Sequence, residues 1–304
     1  MPLFGAKMRT ESGDWEKKIN CTGCWLVLLF VAIVAFADTT TVPQDTTKPM
    51  LQVSAKRAPK PNDLWATDLA RPVANKTFGP GERLVYDVEF GAVTAGQGSL
   101  EILSFETVNG HTSYHFRAEA KSSKGFDYIY KVRDRMDSYV DSTMFIVHKF
   151  MKRLREGNYK DDKVVSYDHA TRKATMVTAG KENRITEFDT LAVDVLSSLY
   201  FLRQLSLEVG KPAHIPVHDI DKKYPLLVEV QKKETISVPA GKFDCIKVEP
   251  KLESEGIFKR KGRIWVWLTD DERHVPVMMA SELPFGAIHA NLVEYRQGTP
   301  TGKK

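Results

Sequence analysis

Residues 263–279 read RIWVWLTDDERHVPVMM, two apolar runs that flank a short acidic segment. Side chains alternate between the two faces of a strand, so Trp265 and Trp267 share one face while Val266 and Leu268 share the other. Because both faces are apolar, the first run is typical of a central strand covered on both sides. VPVMM predicts the returning strand of a β-hairpin, with the acidic segment as its exposed loop. Neighbouring loop acids rarely converge on one ion, so we interpret TDDERH as a turn and not as a catalytic or metal site.

Alternation of the same kind extends over most of residues 78–297. ERLVYDVEF at 82–90 places its apolar side chains on one face, and similar segments follow with Gly, Asn and Asp at the breaks between them. We interpret the glycine-rich GAVTAGQG at 91–98 as a bend. Consecutive strands with short turns favour antiparallel pairing. The predicted fold is mostly β: one large curved antiparallel sheet or barrel-like domain of about a dozen strands.

One segment, DVLSSLYFLRQL at 194–205, follows a helical period instead. Asp194 is a typical N-cap, and Gly210 and Pro212 prevent the helix from continuing. Most of the circumference is apolar, which predicts one substantial helix at about 194–205 that is buried on several sides. The apolar positions at helical spacing are Val195, Leu196, Leu199, Tyr200 and Leu202.

The N-terminal region has the pattern of a secretory signal. A charged start is followed by CWLVLLFVAIVAFA at 24–37, which is shorter than the roughly 20 residues of a membrane-spanning helix. The run ends in a small-x-small pattern, which predicts a signal peptide at 1–37 with cleavage between Ala37 and Asp38. The alternative is an uncleaved anchor, and only that form would associate with a membrane. The Thr-, Pro- and Lys-rich residues that follow predict a disordered or weakly ordered arm at 38–77, before a single β-rich domain at 78–297 and a disordered tail at 298–304.

Composition and motifs exclude several classes of function. The 304 residues are 42% hydrophobic and 27% charged, with a formal net charge of +5. Basic and acidic residues are interleaved, and we expect no nucleic-acid partner, since such a partner requires a denser basic stripe. The chain contains no GxSxG, P-loop or HExxH motif. We therefore predict no catalytic residue, no cofactor and no enzyme activity.

Two pairs of histidines have spacings that resemble metal motifs. His214 and His218 are four residues apart, as are His111 and His115. On a strand this spacing corresponds to roughly 13 Å at about 3.3 Å per residue, whereas a zinc–nitrogen bond is about 2 Å long. We therefore predict no metal site from either pair.

The most basic run, KFMKRLRE at 149–156, carries Lys149, Lys152, Arg153 and Arg155. A solvated strand face, or an edge strand protected against aggregation, is the ordinary interpretation of such a run. Attraction to a membrane surface is the alternative.

Five separated segments carry a resemblance that covers nearly all of residues 78–297. In order and content they resemble the exported bacterial family called domain of unknown function 3108. That resemblance implies a β domain of the periplasm or cell envelope with a signal peptide, and it supplies no catalytic residues. The 265–279 hairpin also resembles, at the level of fold only, the tryptophan-to-proline hairpins of lipoprotein-carrier folds such as the periplasmic lipoprotein chaperone. The five segments are FGPGERLVYDVEFG (78–91), YKVRDRMDSYVD (130–141), DVLSSLYFLRQLSLEVG (194–210), VPAGKFDCIKVEP (238–250) and KGRIWVWLTDDERHVPVMMASELPFGAIHANL (261–292).

Two classes of function fit these observations. One is an exported, monomeric, non-catalytic binding or carrier module for an apolar or amphipathic ligand, such as a lipid, a lipoprotein or another envelope component. The other is a structural or interaction module of the envelope with a filled core; a hydrolase is a distant third. For the carrier, we predict a ligand-cavity wall formed by Trp265, Trp267, Leu199 and Tyr200.

The signal-peptide prediction can be tested directly. We expect protein recovered from cells to begin at or beside Asp38, because the apolar run suits a signal peptide better than a membrane span. Intact-mass measurement or N-terminal sequencing checks this. A full-length cytosolic product, or a first residue far from Asp38, would contradict it.

Overall fold

The computed structural model of the protein describes residues 75–188, 191–220, 222–252, 263–283 and 286–300. The predicted signal peptide at 1–37, its cleavage point between Ala37 and Asp38, and residues 38–74 of the predicted arm lie outside these ranges. None of the helices in these ranges combines the length and the apolar character needed to cross a membrane.

Of the residues in the described ranges, 63% are in strands, and these ranges contain a single α-helix, so the protein is mostly β. This helix, α1, spans Val195–Arg203, and a short 3-10 turn spans Phe126–Tyr128. The strands are β1 Arg83–Phe90, β2 Val93–Ile102, β3 Glu106–Val108, β4 His111–Ser122, β5 Arg133–Asp141, β6 Val147–Glu156, β7 Tyr159–Asp168, β8 Lys173–Thr178, β9 Arg184–Glu187, β10 Ala213–Asp219, β11 Lys222–Val238, β12 Gly241–Leu252, β13 Ile264–Thr269, β14 Pro276–Leu283 and β15 Gly286–Arg296.

All these strands belong to one antiparallel sheet. Their order is β10-β11-β12-β13-β14-β15-β1-β2-β4-β5-β6-β7-β8-β9, and β3 pairs with β4 beside this path. β15 returns to pair with β1, so the two halves of the chain form one continuous surface. The predicted large antiparallel sheet with one helix is confirmed, and the sheet is not closed into a barrel.

The sheet rolls up until its two end strands, β9 and β10, approach each other. Tyr167 of β7 donates a hydrogen bond of 3.1 Å to the carbonyl of His218 on β10, and the hydroxyl of Thr186 on β9 lies 3.2 Å from the His218 ring. The free edge of β10 is covered by Val193, which donates to the Pro216 carbonyl at 3.0 Å and accepts from the His218 N–H at 2.9 Å. An edge strand that would otherwise invite pairing with another chain is thus protected.

Helix α1 packs inside the rolled sheet, and all of its residues are buried. Tyr200 stacks on Phe116 of β4 with ring centroids 4.0 Å apart, and Phe78 lies edge-on to Tyr200 at 5.2 Å. The Asp194 carboxylate accepts hydrogen bonds of 2.8 and 3.0 Å from the N–H groups of the first helical turn, which confirms the predicted N-cap. The helix and its aromatic neighbours therefore fill this part of the interior.

The last residue of α1 carries a fully buried charge. Arg203 donates two hydrogen bonds, of 2.6 and 2.9 Å, to the Glu82 carboxylate immediately before β1, and the two side chains are 0% and 1% exposed. Its guanidinium lies over the rings of Phe78 and Tyr200, and its Nε donates to the carbonyl of Arg273 at 3.2 Å. One side chain thus joins α1, the start of β1 and the β13–β14 turn.

The glycine-rich segment at 91–98 differs from the prediction. It is not a bend, because residues from Val93 onward form the first half of β2. Gly96 is needed there, since a Cβ would lie 2.2 Å from the carbonyl oxygen of Lys121 on β4. Strands β3 and β9, of three and four residues, also lay below the length at which alternation is recognisable.

The ordered domain extends slightly beyond the predicted limits of 78 and 297. Asn75 donates a hydrogen bond of 3.1 Å to the Tyr114 hydroxyl, and the Thr299 N–H donates to the Pro80 carbonyl at 3.1 Å. Residues immediately outside the predicted limits therefore contact the domain.

The inner face becomes polar farther along the strands from α1. Asp134, Lys152 and Lys163 are 4%, 3% and 6% exposed. The Asp134 carboxylate accepts the Arg155 N–H at 2.7 Å. Burial, assisted by the negative charge of Glu156, raises the pKa of Asp134 to about 7 despite that hydrogen bond.

We expect Arg203→Met to lower the free energy of unfolding by about 3–5 kcal/mol, because Glu82 would be left buried without its partner. The double change Arg203→Met, Glu82→Met should recover most of this loss, and urea unfolding measures both. Arg83→Met, which removes a partly exposed ion pair with Glu101, is the control and should cost at most about 1 kcal/mol. A double variant as unstable as the sum of its single changes would contradict this expectation.

The buried Asp134 should make stability depend on pH. Its pKa is about 7 in the folded protein against 3.8 ordinarily, so the folded state retains a proton that the unfolded chain loses. Stability should therefore fall as the pH rises from about 4 to about 7. Asp134→Asn keeps an acceptor for the Arg155 N–H and should flatten this dependence, as measured by urea unfolding across the same range. An unchanged pH slope in the variant would show that Asp134 is not the titrating group.

Candidate binding groove

The predicted cavity wall is divided between the two faces of the sheet. Leu199 and Tyr200 are buried inside with α1. Trp265 and Trp267 lie opposite Ala280 and Met278 of β14, on the face that points away from the helix, whereas Val266 and Met279 form the inner face. The prediction that these four residues line one cavity is therefore wrong, because α1 enters only one side of the sheet.

The tryptophan face is packed and capped by charges. The Lys247 ammonium lies 4.6 and 4.8 Å from the ring centroids of Trp265 and Trp267, and the Arg263 guanidinium lies 4.8 Å from Trp265. Trp267 is 7% exposed and donates its indole N–H to Glu234 of β11 at 2.9 Å. These contacts are typical of a packed structural face and not of an open ligand site.

An open groove of about 600 Å³ lies instead on the outer face of β5–β8. Cross-strand register explains its layout. One row of opposed residues runs Arg135–Arg153–Asp162, and the adjacent row runs Asp137–Met151–Val164–Val177. The groove therefore has an apolar floor with guanidinium groups along one side. Its lining also includes Arg155, Ala179 and the strand segments at Lys152 and Lys163, whose side chains are buried on the inner face.

Two of the three arginines in the groove are held by carboxylates. Arg135 donates to both oxygens of Asp137, at 2.6 and 3.1 Å, and Arg155 donates to both oxygens of Asp162, at 2.8 and 2.7 Å. Arg153 is exposed, and it forms no ion pair with any carboxylate in the described part of the chain. Its guanidinium is the cation available to a ligand.

A network behind the groove keeps Asp137 ionised. Burial alone would raise the pKa of this carboxyl, but hydrogen bonds from His115, Arg135 and Arg117 hold it well below its ordinary value. The bond from the His115 ring is 2.6 Å long, and that from Arg117 is 2.9 Å. The Arg135 guanidinium is thereby fixed in orientation at the wall of the groove.

The apolar floor continues toward the end of the sheet. Val177 is 45% exposed, and Ile185 of β9, on the same outer face, is 63% exposed. On the other side of the floor, Lys149 lies over the Tyr139 ring, with its ammonium 5.8 Å from the centroid. Cations thus flank an apolar strip from two directions, which suits a ligand that is itself both apolar and anionic.

The basic run at 149–156 was recognisable from the sequence, but its division between two faces depends on the strand. Arg153 points outward into the groove, while Lys152 is buried on the inner face. Arg135 and Val177 come from other strands and complete the groove only through pairing. Met151, an alternating apolar residue inside a basic run, is the one local signal of an apolar floor.

A family model described as "Protein of unknown function (DUF3108)" matches residues 85–293. A search of curated proteins gives no match. Among solved structures, the chain is similar to a beta-barrel-like protein of the domain of unknown function DUF1849 from Brucella abortus. The TM-score is 0.51 and the identity 11%, with 73% of this chain and 100% of that one covered. At this identity the likeness concerns the fold alone, and it agrees with the rolled sheet.

Two further solved structures overlap less well. One is a predicted lipoprotein from Parabacteroides distasonis, with a TM-score of 0.34, 13% identity, and 72% of this chain and 98% of that one covered. The other is a predicted exported protein with a YmcC-like fold from Bacteroides fragilis, with a TM-score of 0.32, 9% identity, and coverage of 74% and 100%. Overlaps this weak support no inference about this chain. The match across residues 85–293 is decisive by itself: the chain belongs to the DUF3108 family of proteins of unknown function.

Proposed function

We propose that the protein is an exported, non-catalytic binding module of the cell envelope that holds an amphiphile with an anionic headgroup. The observation that supports this most strongly is Arg153, a guanidinium without a carboxylate partner in the described ranges, beside the apolar floor of the groove. The headgroup would pair with Arg153, and the first methylenes would cover Met151, Val164 and Val177. A volume of about 600 Å³ is within the usual range for ligand sites, although an open groove holds only part of a lipid.

Binding is favoured over catalysis by the state of the carboxylates in the groove. Asp137 and Asp162 are engaged by guanidinium groups, and hydrogen bonds from Arg155 lower the pKa of Asp162. Carboxylates held ionised in this way are unsuited to act as general acids near neutral pH. They orient the flanking arginines, which is a role in recognition.

Export is part of the proposal and rests on the sequence. The apolar run at 24–37 with its small-x-small ending supports passage across the inner membrane. In the envelope, anionic amphiphiles are abundant as lipids, and a basic groove would encounter them.

The second candidate is an envelope interaction module that carries no small ligand. The packed interior favours it: α1, Phe116 and Phe78 fill the inside of the rolled sheet, and the tryptophan face is covered by Lys247 and Arg263. These contacts support a filled interior beside Tyr200, and the ligand site that we propose is the outer groove.

Short-chain phospholipids below their micellar concentration can test the proposed ligand class. We expect the protein to bind dihexanoylphosphatidylglycerol more tightly than dihexanoylphosphatidylcholine, as measured by calorimetry. Arg153→Gln should weaken phosphatidylglycerol binding about tenfold, because a charge-assisted hydrogen bond is worth about 1.5–3 kcal/mol. Val164→Thr should weaken binding of both lipids, since it places a hydroxyl on the apolar floor.

Lys242→Gln, which removes an exposed cation from the start of β12, is the matched control and should bind both lipids as the unaltered protein does. Equal binding of the two lipids, or an Arg153→Gln variant that retains the preference for phosphatidylglycerol, would contradict an anionic-amphiphile site. Absence of binding to either lipid would favour the interaction module.

A further inference from the structure

A second cluster of polar side chains lies near the ends of β4, β5 and β6, on a different part of the sheet from the groove. His111 begins β4, Asp141 ends β5, and His148 is the second residue of β6. An Asn109-Gly110 turn, with φ of 52° and 80°, sets the entry to β4 and places His111 beside the end of β5. Three strands therefore bring together two imidazoles and one carboxylate that are far apart in the sequence.

Two distances within this cluster match the separation between ligands of a tetrahedral metal site. The Asp141 Oδ2 atom lies 3.3 Å from His111 Nδ1 and 3.3 Å from His148 Nε2, and all three ligand atoms are within 4.8 Å of one another. Zinc binds such atoms at about 2.0–2.1 Å, so tetrahedral ligands stand about 3.3–3.4 Å apart. The same separations are long for charge-assisted hydrogen bonds, which are about 2.7–2.9 Å. The spacing of Asp141 Oδ2 from each imidazole nitrogen thus suits a shared ion better than a charge-assisted hydrogen bond.

The carboxylate is oriented by its other oxygen. Asp141 Oδ1 accepts the N–H groups of Thr143 and Met144, both at 2.7 Å, in the tight turn that follows β5. These bonds direct Oδ2 toward the two histidines. Outer hydrogen bonds of this kind commonly fix the ligands of metal sites.

A cavity of about 520 Å³ opens beside the cluster, and a fourth polar side chain faces it. Its lining includes His111, His148 and His169. The Nε2–H of His169 donates to the Val147 carbonyl at 2.7 Å, which leaves a lone pair on Nδ1. That Nδ1 atom is buried and has no hydrogen-bond partner in the described part of the chain. The His169 ring lies edge-on to His148, with centroids 5.2 Å apart. An orphaned acceptor at this position indicates a missing donor in the cavity.

From this geometry we infer that His111, Asp141 and His148 bind a divalent transition-metal ion of the zinc type. The two-imidazole, one-carboxylate donor set suits such ions. Three protein ligands leave one coordination position open toward the cavity. A water molecule there would donate a hydrogen bond to the free Nδ1 of His169, which satisfies the orphaned acceptor. The site is independent of the proposed lipid groove.

The test uses the untagged full chain with Cys21→Ser and Cys24→Ser, so that the N-terminal thiols cannot bind metal. After removal of metal by a chelator, calorimetry with Zn²⁺ should show one ion per chain. Co²⁺ should give the visible absorption of a tetrahedral nitrogen and oxygen site. His148→Ala and Asp141→Asn should each weaken Zn²⁺ binding by more than the roughly 10–100-fold typical of outer-shell changes. His169→Gln should weaken Zn²⁺ binding by an amount within that roughly 10–100-fold range.

The controls separate metal binding from folding and from the groove. His214→Ala removes a half-buried histidine outside the cluster and should bind Zn²⁺ as the parent does. Arg153→Gln should also leave Zn²⁺ binding unchanged. Circular dichroism verifies the fold of each variant, and Asp141→Asn keeps the Oδ1 acceptor that holds the Thr143 and Met144 turn. A parent chain that takes up no Zn²⁺, or a folded His148→Ala variant that binds it with parental affinity, would overturn the assignment.

Discussion

The buried pair between Arg203 and Glu82 is the constraint on which the rest of the molecule depends. A charge removed from water is tolerated only where hydrogen bonds and an opposite charge surround it, and here one carboxylate, two aromatic rings and a backbone carbonyl do so. Those partners belong to the start of β1, to α1 and to the β13–β14 turn. The pair therefore defines the position of the helix against the sheet. The sheet must roll around the helix to exclude water from the pair.

Side chains of the described residues pack inside the rolled sheet. The stacked rings of Tyr200 and Phe116 occupy the part of the interior next to α1, and buried charges such as Asp134 and Lys152 occupy the inner face farther along the strands. The two candidate sites lie away from α1, on the outer face and near the strand ends. The basic groove and the histidine cluster both lie there, where side chains from three or four strands converge while one side stays open to a ligand.

Much of the architecture was predictable from local patterns. Alternation identified most strands, and the Asp194 cap with helically spaced leucines located α1 to within a few residues. The turn at Asp270 and Asp271 was also recognisable, because both acids lie exposed between two apolar runs. The failures have local causes. Gly96 was interpreted as part of a bend between strands. It is a strand residue, and its lack of a Cβ allows the backbone of β4 to approach closely. Strands β3 and β9 are too short to show a period.

Residue types and their periods were enough to establish an antiparallel β domain, its single helix in the described ranges and the positions of its hairpins, since these depend on neighbours within a few residues. Pairing between distant strands determined which residues of the candidate sites lie together. His111 and His115 were rejected as a metal-binding pair on their spacing, and His111 instead lies beside His148 across β5, a partner that spacing along one strand could not reveal. Likewise, Trp265 and Tyr200 were grouped by their apolar character, but the roll of the sheet places them on opposite faces. Cross-strand register and sheet curvature are properties of the whole chain, and both candidate sites depend on them.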